Sequence, residues 1–332
     1  MRTVGLIFLI VVALGFDFTN GFHDAANAVA VSITTRALRP LTALGMAAGL
    51  NVVGAVISTK VAATVGKGII STPTGTHGLV IVFSALVGGI TWNLLTWWLG
   101  LPSSSTHALI GGLVGAAIAS STTVKWHGIV SKVIVPMAVS PLIGLVLGYL
   151  LMIAILWIFH RARPTVLNPR FRRAQTLSTA AMAFSHGTQD AQKTMGVIAL
   201  ALVATGHLHG FQVPVWVILS AASAMGLGTL AGGWRVIRTL GNRITTLDPA
   251  RGFAAQTAAS SVLLVSAYAY AMPVSSTHVM TSSIMGVGAT RRISAVRWGV
   301  AQQVIAAWLL TIPGAAASAW AVYHVAHTVI GS

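Results

Sequence analysis

Residues 20–27 read Asn-Gly-Phe-His-Asp-Ala-Ala-Asn, a polar stretch set between two apolar ones. Residues 4–16 before it are almost all apolar, and residues 28–33 after it are mostly apolar. A charge inside a bilayer is costly and usually marks a functional site, so Asp24 is a candidate site residue. The chain has only four acidic residues, and all are aspartates: Asp17, Asp24, Asp190 and Asp248.

The composition is that of a membrane protein. Hydrophobic residues make up 55% of the 332 residues and charged residues only 7%, whereas soluble domains carry about 25% charged residues. Long apolar runs recur, which predicts an all-α polytopic membrane protein. The net charge of +16 comes from short basic clusters between apolar runs, so no nucleic-acid partner is expected. The lack of cysteine excludes thiolate metal sites and a Cys nucleophile.

Ten apolar segments are candidate membrane spans. They cover 4–34, 41–60, 78–99, 106–121, 128–159, 176–204, 213–233, 252–271, 277–290 and 298–326. Several are too short or too polar for a simple crossing of about 20 residues, which predicts broken or re-entrant helices. The first run is too long, and we predict that Asn20 and Gly21 interrupt it, so that freed backbone groups line an enclosed cavity.

The loops between these segments differ in charge. Arginines concentrate in four loops, whereas one loop and the C-terminal tail contain no Lys or Arg. The former are 35–40, 160–175, 234–251 and 291–297, and the latter are 205–212 and 327–332. The positive-inside rule places the arginine-rich loops in the cytoplasm. Over ten crossings, this predicts a plasma membrane protein (in a bacterium, the inner membrane) with both termini outside.

The two halves of the chain repeat. Residues 185–193 read Ser-His-Gly-Thr-Gln-Asp-Ala-Gln-Lys and set Asp190 in the same context as Asp24, 166 residues later. Residues 102–107 (Pro-Ser-Ser-Ser-Thr-His) and 273–278 (Pro-Val-Ser-Ser-Thr-His) lie 171 residues apart. With about five segments each, the halves have inverted topology, which is typical of transporters whose site lies near mid-membrane. The predicted domains are a first transmembrane repeat at 1–159, a basic cytoplasmic linker at 160–175 and a second transmembrane repeat at 176–332.

At these motifs the sequence resembles the PiT family of inorganic phosphate transporters. The resemblance covers nearly the whole chain. It rests on residues 20–28, on Ser185-His186-Gly187 with Asp190 and Lys193-Thr194-Met195-Gly196, and on the two Ser-Ser-Thr-His boxes. It implies import of orthophosphate with sodium ions or protons, in some bacterial members as a neutral metal–phosphate complex, while some relatives carry sulfate. The family usually has Asn directly before the second Asp, where this chain has Gln189.

The two aspartate motifs are candidate cation sites. Asp24 and Asn27 are three residues apart and share one helix face. Oxygen-rich side chains with unwound backbone carbonyls suit a hard monovalent cation, so sodium is a candidate at Asp24 and Asp190. A structural polar cluster that ties broken helices together is the alternative. The candidate cation ligands are Asn20, Asp24, Asn27, Gln189 and Asp190.

The two Ser-Ser-Thr-His boxes are candidate anion sites. Each follows a proline and precedes an apolar, glycine-rich run, and Ser and Thr are favoured helix N-caps. Half-helices that begin there would aim free N–H groups and a positive dipole end at a phosphate; plain capping is the alternative. Lys193 either neutralises Asp190 or contacts phosphate. The candidate phosphate-binding residues are Asp24, Asn27, Ser104, Ser105, Thr106, Asp190, Lys193, Ser275, Ser276 and Thr277.

The motif histidines and the aspartates are the residues that could exchange protons. The motif histidines titrate near neutral pH, so each is a candidate proton relay, with plain donation to a carbonyl as the alternative. They are His23, His107, His186 and His278. Phosphate at neutral pH still carries a proton that it can donate to a carboxylate, whereas sulfate would face the carboxylate as a second acceptor. The two aspartates therefore favour phosphate over sulfate.

These features predict a secondary active symporter that imports inorganic phosphate with sodium or protons by alternating access. A permease of the same fold for sulfate or another oxyanion is the main alternative. An anion channel is disfavoured because paired carboxylates repel a diffusing anion, and a Ser–His hydrolase because the boxes lack a nucleophile–base arrangement. We expect no enzymatic activity and no cofactor besides the coupling ion. The expected partners are inorganic phosphate, alone or as a metal–phosphate complex, the lipid bilayer and, as an open alternative, a second copy in a homodimer.

Overall fold

The computed structural model describes residues 2–70 and 74–330, and within them thirteen α-helices. The first half contains α1 (Arg2–Thr34), α2 (Pro40–Ile57), α3 (Lys60–Gly68), α4 (Thr76–Leu99), α5 (Ser105–Ala119), α6 (Trp126–Ile129) and α7 (Val135–Ile158). The second half contains α8 (Pro164–Ala204), α9 (Val215–Ala231), α10 (Trp234–Arg238), α11 (Pro249–Tyr268), α12 (Ser276–Ala289) and α13 (Trp298–Ile330). A π-helical turn joins α6 to α7 without a break, and a second one extends α10.

Several of these helices have the length and apolarity of membrane spans. Five qualify by length and composition: α1, α2, α4, the α6–α7 rod and α13. A sixth is added if α9 and α10, which meet at a bend of 60°, count as one broken span. The described residues form no strand beyond one isolated bridge between Ile70 and Val124. The predicted all-α polytopic membrane protein is therefore confirmed.

The order of elements repeats between the halves. The long helices α1 and α8 open the halves, and each packs against the second helix of the other half, α9 and α2 respectively. The short helices α3 and α10 follow in equivalent places. Both were predicted as loops, because nine and five residues are too few to show a helical pattern beside a membrane span. Helices also pack across the halves near the end of each half. Helix α5 of the first half packs on α13 of the second, and α12 of the second half packs on α7 of the first.

The predicted interruption of the first span at Asn20 and Gly21 is wrong. Helix α1 runs through both residues without a break, and α8 likewise runs through Gly187. These glycines serve helix contact instead. A Cβ on Gly21 would lie 2.2 Å from the Met225 carbonyl oxygen of α9, and one on Gly187 would lie 2.1 Å from the Asn51 carbonyl oxygen of α2. Without unwinding, the carbonyls of these turns stay in helical hydrogen bonds and are not free cation ligands.

The segment predicted as a cytoplasmic linker, 160–175, is mostly helical. A turn covers residues 159–162, and α8 begins at Pro164, a residue favoured in the first helical turn. Helix α8 has 41 residues, about twice the length that a bilayer crossing needs. Its arginine-rich first turns therefore extend the membrane helix.

The half-helices predicted at the two Ser-Ser-Thr-His boxes are present. Helix α5 has 15 residues and α12 has 14, and both are too short to cross a bilayer alone. Ser104 caps α5 by accepting from the His107 N–H at 3.3 Å, and Ser275 caps α12 by accepting from the His278 N–H at 3.2 Å. The predicted Ser caps are confirmed.

Candidate functional site

The two repeat motifs meet in one buried cluster between α1, α5, α8 and α12. Asp24 is 2% exposed and Asp190 is fully buried. Single ligand atoms of Asp24, His186 and Asp190 lie within 4.8 Å of one another. We call the cluster the central site, and it comprises Asp24, Asn27, Ser105, Thr106, His186, Asp190, Lys193, Ser276 and Thr277. All nine residues are at most 2% exposed, so the protein encloses the site.

Asp24 accepts hydrogen bonds from both half-helices. The Ser105 hydroxyl of α5 donates to Oδ2 at 2.8 Å, and the Thr277 hydroxyl of α12 donates to Oδ1 at 3.1 Å. The Nδ1 atom of His23 lies 2.8 Å from Oδ1. Hydrogen bonds to a carboxylate favour its charged form. The side chains around Asp24 therefore favour a negative charge at this position.

Asp190 is neutralised within the protein. The Lys193 ammonium forms an ion pair with its Oδ1 atom and also donates to the Thr106 hydroxyl of α5. The Ser276 hydroxyl of α12 donates to Oδ2 at 2.8 Å. The Nε2 atom of His186 lies 2.8 Å from the same oxygen. Of the two roles considered for Lys193, the structure shows the ion pair.

Asn27 and Lys193 occupy equivalent positions of the two repeats, each three residues after its aspartate. Each reaches the half-helix of the other repeat. The Asn27 amide donates to the Thr277 hydroxyl at 2.8 Å and to the Ser276 hydroxyl at 3.2 Å, and Lys193 reaches Thr106. The two-fold relation of the fold therefore extends to the polar contacts, with an amide in one repeat and an ammonium in the other.

The N-termini of α5 and α12 converge on these side chains. The first N–H groups of a helix lack intrahelical partners and carry a positive partial charge. In both helices the residue after the cap donates a hydroxyl hydrogen bond to an aspartate: Ser105 to Asp24 and Ser276 to Asp190. The caps Ser104 and Ser275 are engaged by backbone N–H groups instead. The arrangement is a cradle of donors that can bind a tetrahedral anion between two carboxylates.

The four motif histidines divide into two pairs. His23 and His186 contact the aspartates, as described above. His107 and His278 contact each other instead, with ring centroids 4.8 Å apart, and His278 stacks on Trp308 at 4.0 Å. Both rings of the second pair are buried, and neither contacts a carboxylate within the part of the chain that the structure describes. A proton relay to the aspartates needs a histidine in contact with a carboxylate, and His23 and His186 meet this condition.

Two of the predicted cation ligands do not reach the aspartate pair. The Gln189 amide donates to the carbonyls of Leu263 and Met272 at 3.2 and 3.3 Å, which ties α8 to α11 and to the segment before α12. Asn20 is buried and lies beside Asp17 rather than Asp24. Asp24, Asn27 and Asp190 are the members of the predicted cation set that the structure brings together.

Sequence reasoning missed a supporting layer of hydroxyl and amide groups. Thr96 and Ser103 bond to each other at 2.7 Å, and both lie within 3.4 Å of His23 Nε2. Asn51 lies 3.3 Å from His186 Nδ1 and donates to Thr229. Such residues sit in apolar helices far from the motifs, and only the folded structure brings them near the histidines. Ser103 alone had a signal, as the first serine of its box.

The fold and the central site together define a multi-pass membrane protein with a buried polar site that two related repeats build. The profile of the phosphate transporter family matches residues 20–168 and 159–319, which is most of the chain. The chain belongs to the phosphate transporter family. The resemblance that its motifs predicted is confirmed.

Individual relatives agree with the family. The chain is 46% identical over 318 residues to a "Probable low-affinity inorganic phosphate transporter" of Rhizobium meliloti (strain 1021), covering 94% of this chain and 93% of the relative. It is 42% identical over 311 residues to a protein of the same name in Bacillus subtilis (strain 168), covering 92% of each. A solved structure titled "The sodium-dependent phosphate transporter" matches 98% of this chain and 100% of its own, with a TM-score of 0.88 and 25% identity. The predicted fold class, with its paired repeats, is confirmed.

Proposed function

We propose that this protein is a secondary active symporter that imports inorganic phosphate together with a cation, sodium or a proton. One observation carries the proposal. Two aspartates, one from each sequence repeat, lie together at the N-termini of two half-helices. Hydroxyl groups of both Ser-Ser-Thr-His boxes donate hydrogen bonds to them. An anion bound there faces positive helix ends on one side and carboxylates on the other. The names of its relatives support phosphate as that anion.

Phosphate fits this mixed cradle better than sulfate. The helix N-termini and Lys193 supply donors to phosphate oxygens. The remaining phosphate proton is donated to Asp24, which already accepts from Ser105 and Thr277. Sulfate has no proton to donate and would place an acceptor against a carboxylate. A sulfate or other oxyanion permease is therefore the second candidate.

The asymmetry of charge in the central site supports cation coupling. Asp190 has Lys193 as its counter-charge, whereas the partners of Asp24 among the described residues are hydroxyl donors and His23. A bound phosphate adds negative charge beside Asp24, and a sodium ion or a proton offsets it. Both the coupling ion and its ligands are proposals, with Asp24 and the oxygen atoms around it as the first position to test.

The burial of the central site and the symmetry of the repeats support alternating access. No residue of the central site is more than 2% exposed, so substrate entry and release need movement of helices. The two repeats exchange their half-helices, with α5 on α13 and α12 on α7. Repeats related in this way can rock around a fixed site and open it to each side in turn. The arginine-rich loops favour the cytoplasmic side for the turn before α8 and an outside location for both termini.

Phosphate enters either free or as a metal–phosphate complex, and the protein works in the bacterial inner membrane, as a single chain or as a homodimer. Transport rather than catalysis is its activity, because the Ser-Ser-Thr-His boxes are used to cap helices and to bond the aspartates. A channel is disfavoured by the enclosed central site.

Uptake of radiolabelled phosphate into proteoliposomes tests the proposal, with sodium and proton gradients imposed separately. Uptake driven by one gradient identifies the coupling ion. Unlabelled sulfate at the same concentration is expected to compete weakly. The Asp248→Asn variant is the matched control, because Asp248 lies before α11 away from the central site and Asn also caps helices. Gradient-independent phosphate flux, or accumulation of sulfate alone, would overturn the proposal.

A further inference from the structure

A third buried carboxylate lies near the central site but outside it. Asp17 is on α1, seven residues before Asp24, which is two helical turns or about 10 Å along the axis. It is fully buried, as are Asn20 on the same helix and Thr194 on α8. The side chains of Asn20 and Thr194 lie beside the Asp17 carboxyl group, and the charge of Lys193 is near.

These three side chains lie beside one another, but in the part of the chain that the structure describes their polar atoms form no hydrogen bond of normal geometry. Both carboxylate oxygens of Asp17, both polar atoms of the Asn20 amide and the Thr194 hydroxyl are buried without a partner of acceptable geometry. Buried polar groups are nearly always paired, and a buried carboxylate without a counter-charge is strongly unfavourable. The two other membrane aspartates each accept hydroxyl donors, and Asp190 has an ion pair. Asp17 is the exception among them.

Lys193 does not resolve this imbalance. Its ammonium group is near Asp17, but its hydrogen bonds go to Asp190 and to the Thr106 hydroxyl. Withdrawing it toward Asp17 would leave Asp190 unpaired. Asp17 therefore has to take up either a proton or a cation from outside the chain.

The repeat relation shows that this cluster is not part of the shared scaffold. Shifted by the 166 residues that separate the two motifs, Asp17 corresponds to Ala183, and Thr194 corresponds to Ala28. Both counterparts are buried alanines, so the fold holds at these positions without polar groups. The oxygen cluster occurs once, whereas the anion cradle occurs in both repeats.

We propose that Asp17, Asn20 and Thr194 bind a sodium ion, at a site distinct from the central site. Two carboxylate oxygens, an amide oxygen and a hydroxyl oxygen are hard ligands of the kind that alkali and alkaline-earth cations prefer. A single carboxylate close to the Lys193 ammonium favours a monovalent ion over a divalent one. The ion would join α1 to α8, the two helices that carry the aspartates. This deepens the proposed function and rests on it, because it adds a cation to the coupled set.

Equilibrium binding of radiolabelled sodium to the purified full-length protein, without phosphate, tests this site. We expect Asp17→Asn to lose one bound sodium per chain relative to the wild type. We expect Thr194→Val to weaken sodium binding by about tenfold or more, as loss of a supporting ligand does. Thr194→Ser keeps the oxygen and should bind like the wild type, which separates loss of a ligand from misfolding. Asp248→Asn is the matched carboxylate control and should bind normally.

Other outcomes contradict the proposal. Sodium binding that is unchanged in Asp17→Asn, or absent from the wild type while a proton is taken up instead, would overturn it. The phosphate uptake assay runs in parallel and separates the two claims. Coupled uptake with no sodium bound at Asp17 rejects this site alone, whereas one sodium bound at Asp17 without phosphate uptake rejects the transport proposal alone.

Discussion

At the scale of the residue, the two repeat aspartates differ in how their charge is balanced. Asp190 is paired with Lys193 inside the protein, while Asp24 relies on hydroxyl donors and His23. The difference comes from one pair of equivalent positions, Asn27 and Lys193. The same two-fold frame therefore holds one aspartate paired with an ammonium group and one aspartate bonded to hydroxyl groups.

Replacing the charged member tests its role. Asp24→Asn keeps the shape but turns one acceptor oxygen into an amide donor that faces the hydroxyls of Ser105 and Thr277. We expect phosphate uptake to fall by about 100-fold or more, because a buried partner is left unpaired in the bound state, which costs about 1–3 kcal/mol per group. Initial uptake rates at matched protein density in the liposomes measure this. Normal uptake by a monodisperse Asp24→Asn protein contradicts the role.

The buried ion pair makes a prediction about stability. Lys193→Met removes the ammonium and leaves Asp190 buried without its counter-charge, which should destabilise the protein by about 3–5 kcal/mol. Adding Asp190→Asn removes the orphaned charge, so the double variant should recover much of this loss. Thermal unfolding of both variants in detergent measures the difference. A double variant no more stable than Lys193→Met alone shows that the pair does not govern stability.

The sequence was sufficient to find Asp24, Asp190 and Lys193, because charged residues in apolar segments are rare enough to stand out. It was insufficient for the partners of these residues. Thr194 and Asn51 look like ordinary polar residues in a helix, and only the contact between α8 and its neighbours gives them a place. Asn20 was predicted as a cation ligand together with Asp24, whereas the structure places it beside Asp17.

At the scale of the element, glycine at the motifs favours close contact rather than a helix break. The sequence signal is the same in both cases, since Asn-Gly is typical of turns in water. Inside a membrane a helix keeps its backbone hydrogen bonds, because the lipid offers none in exchange. Helix α1 therefore continues through Gly21, and the missing side chain lets α9 approach. The Ser caps of α5 and α12 were predictable because the capping preference is local in sequence.

Two glycines of α1 give a matched test of this explanation. Gly21→Ala places a Cβ 2.2 Å from the Met225 carbonyl oxygen, and such overpacking should cost about 1–3 kcal/mol of stability. Gly15→Ala is the control, because no atom lies within 4 Å of its Cβ, and alanine in a helix should stabilise by about 0.5–1 kcal/mol. The two variants should therefore shift the unfolding temperature in opposite directions. Equal shifts would show that Gly21 has no special contact.

At the scale of the whole molecule, the repeats are interlocked rather than side by side. Each half-helix packs on the last helix of the other repeat, so the N-termini of α5 and α12 are held by both halves. The 166-residue repeat indicated two related halves. It could not indicate this exchange, because both halves offer equally apolar partners and sequence periodicity does not distinguish them.

The orientation of the molecule in the membrane is the remaining whole-chain prediction. The chain has no cysteine, so a single introduced cysteine reports one position. Ala162 lies in the exposed turn before α8, beside the arginines that favour the cytoplasm, and Gly210 lies in the exposed loop after α8, which has no Lys or Arg. In intact cells a membrane-impermeant maleimide should label Gly210→Cys and not Ala162→Cys, and permeabilisation should make both reactive.

The outcomes of this labelling discriminate between topologies because α8 connects the two positions. With 41 residues, it is long enough to cross the bilayer once with turns to spare. Labelling of both cysteines from outside would mean that α8 does not cross, and the two aspartate motifs would then not share a membrane depth. The reverse pattern, with Ala162→Cys alone labelled, would invert the molecule, so that the arginine-rich loops would be outside and charge bias would not set its orientation.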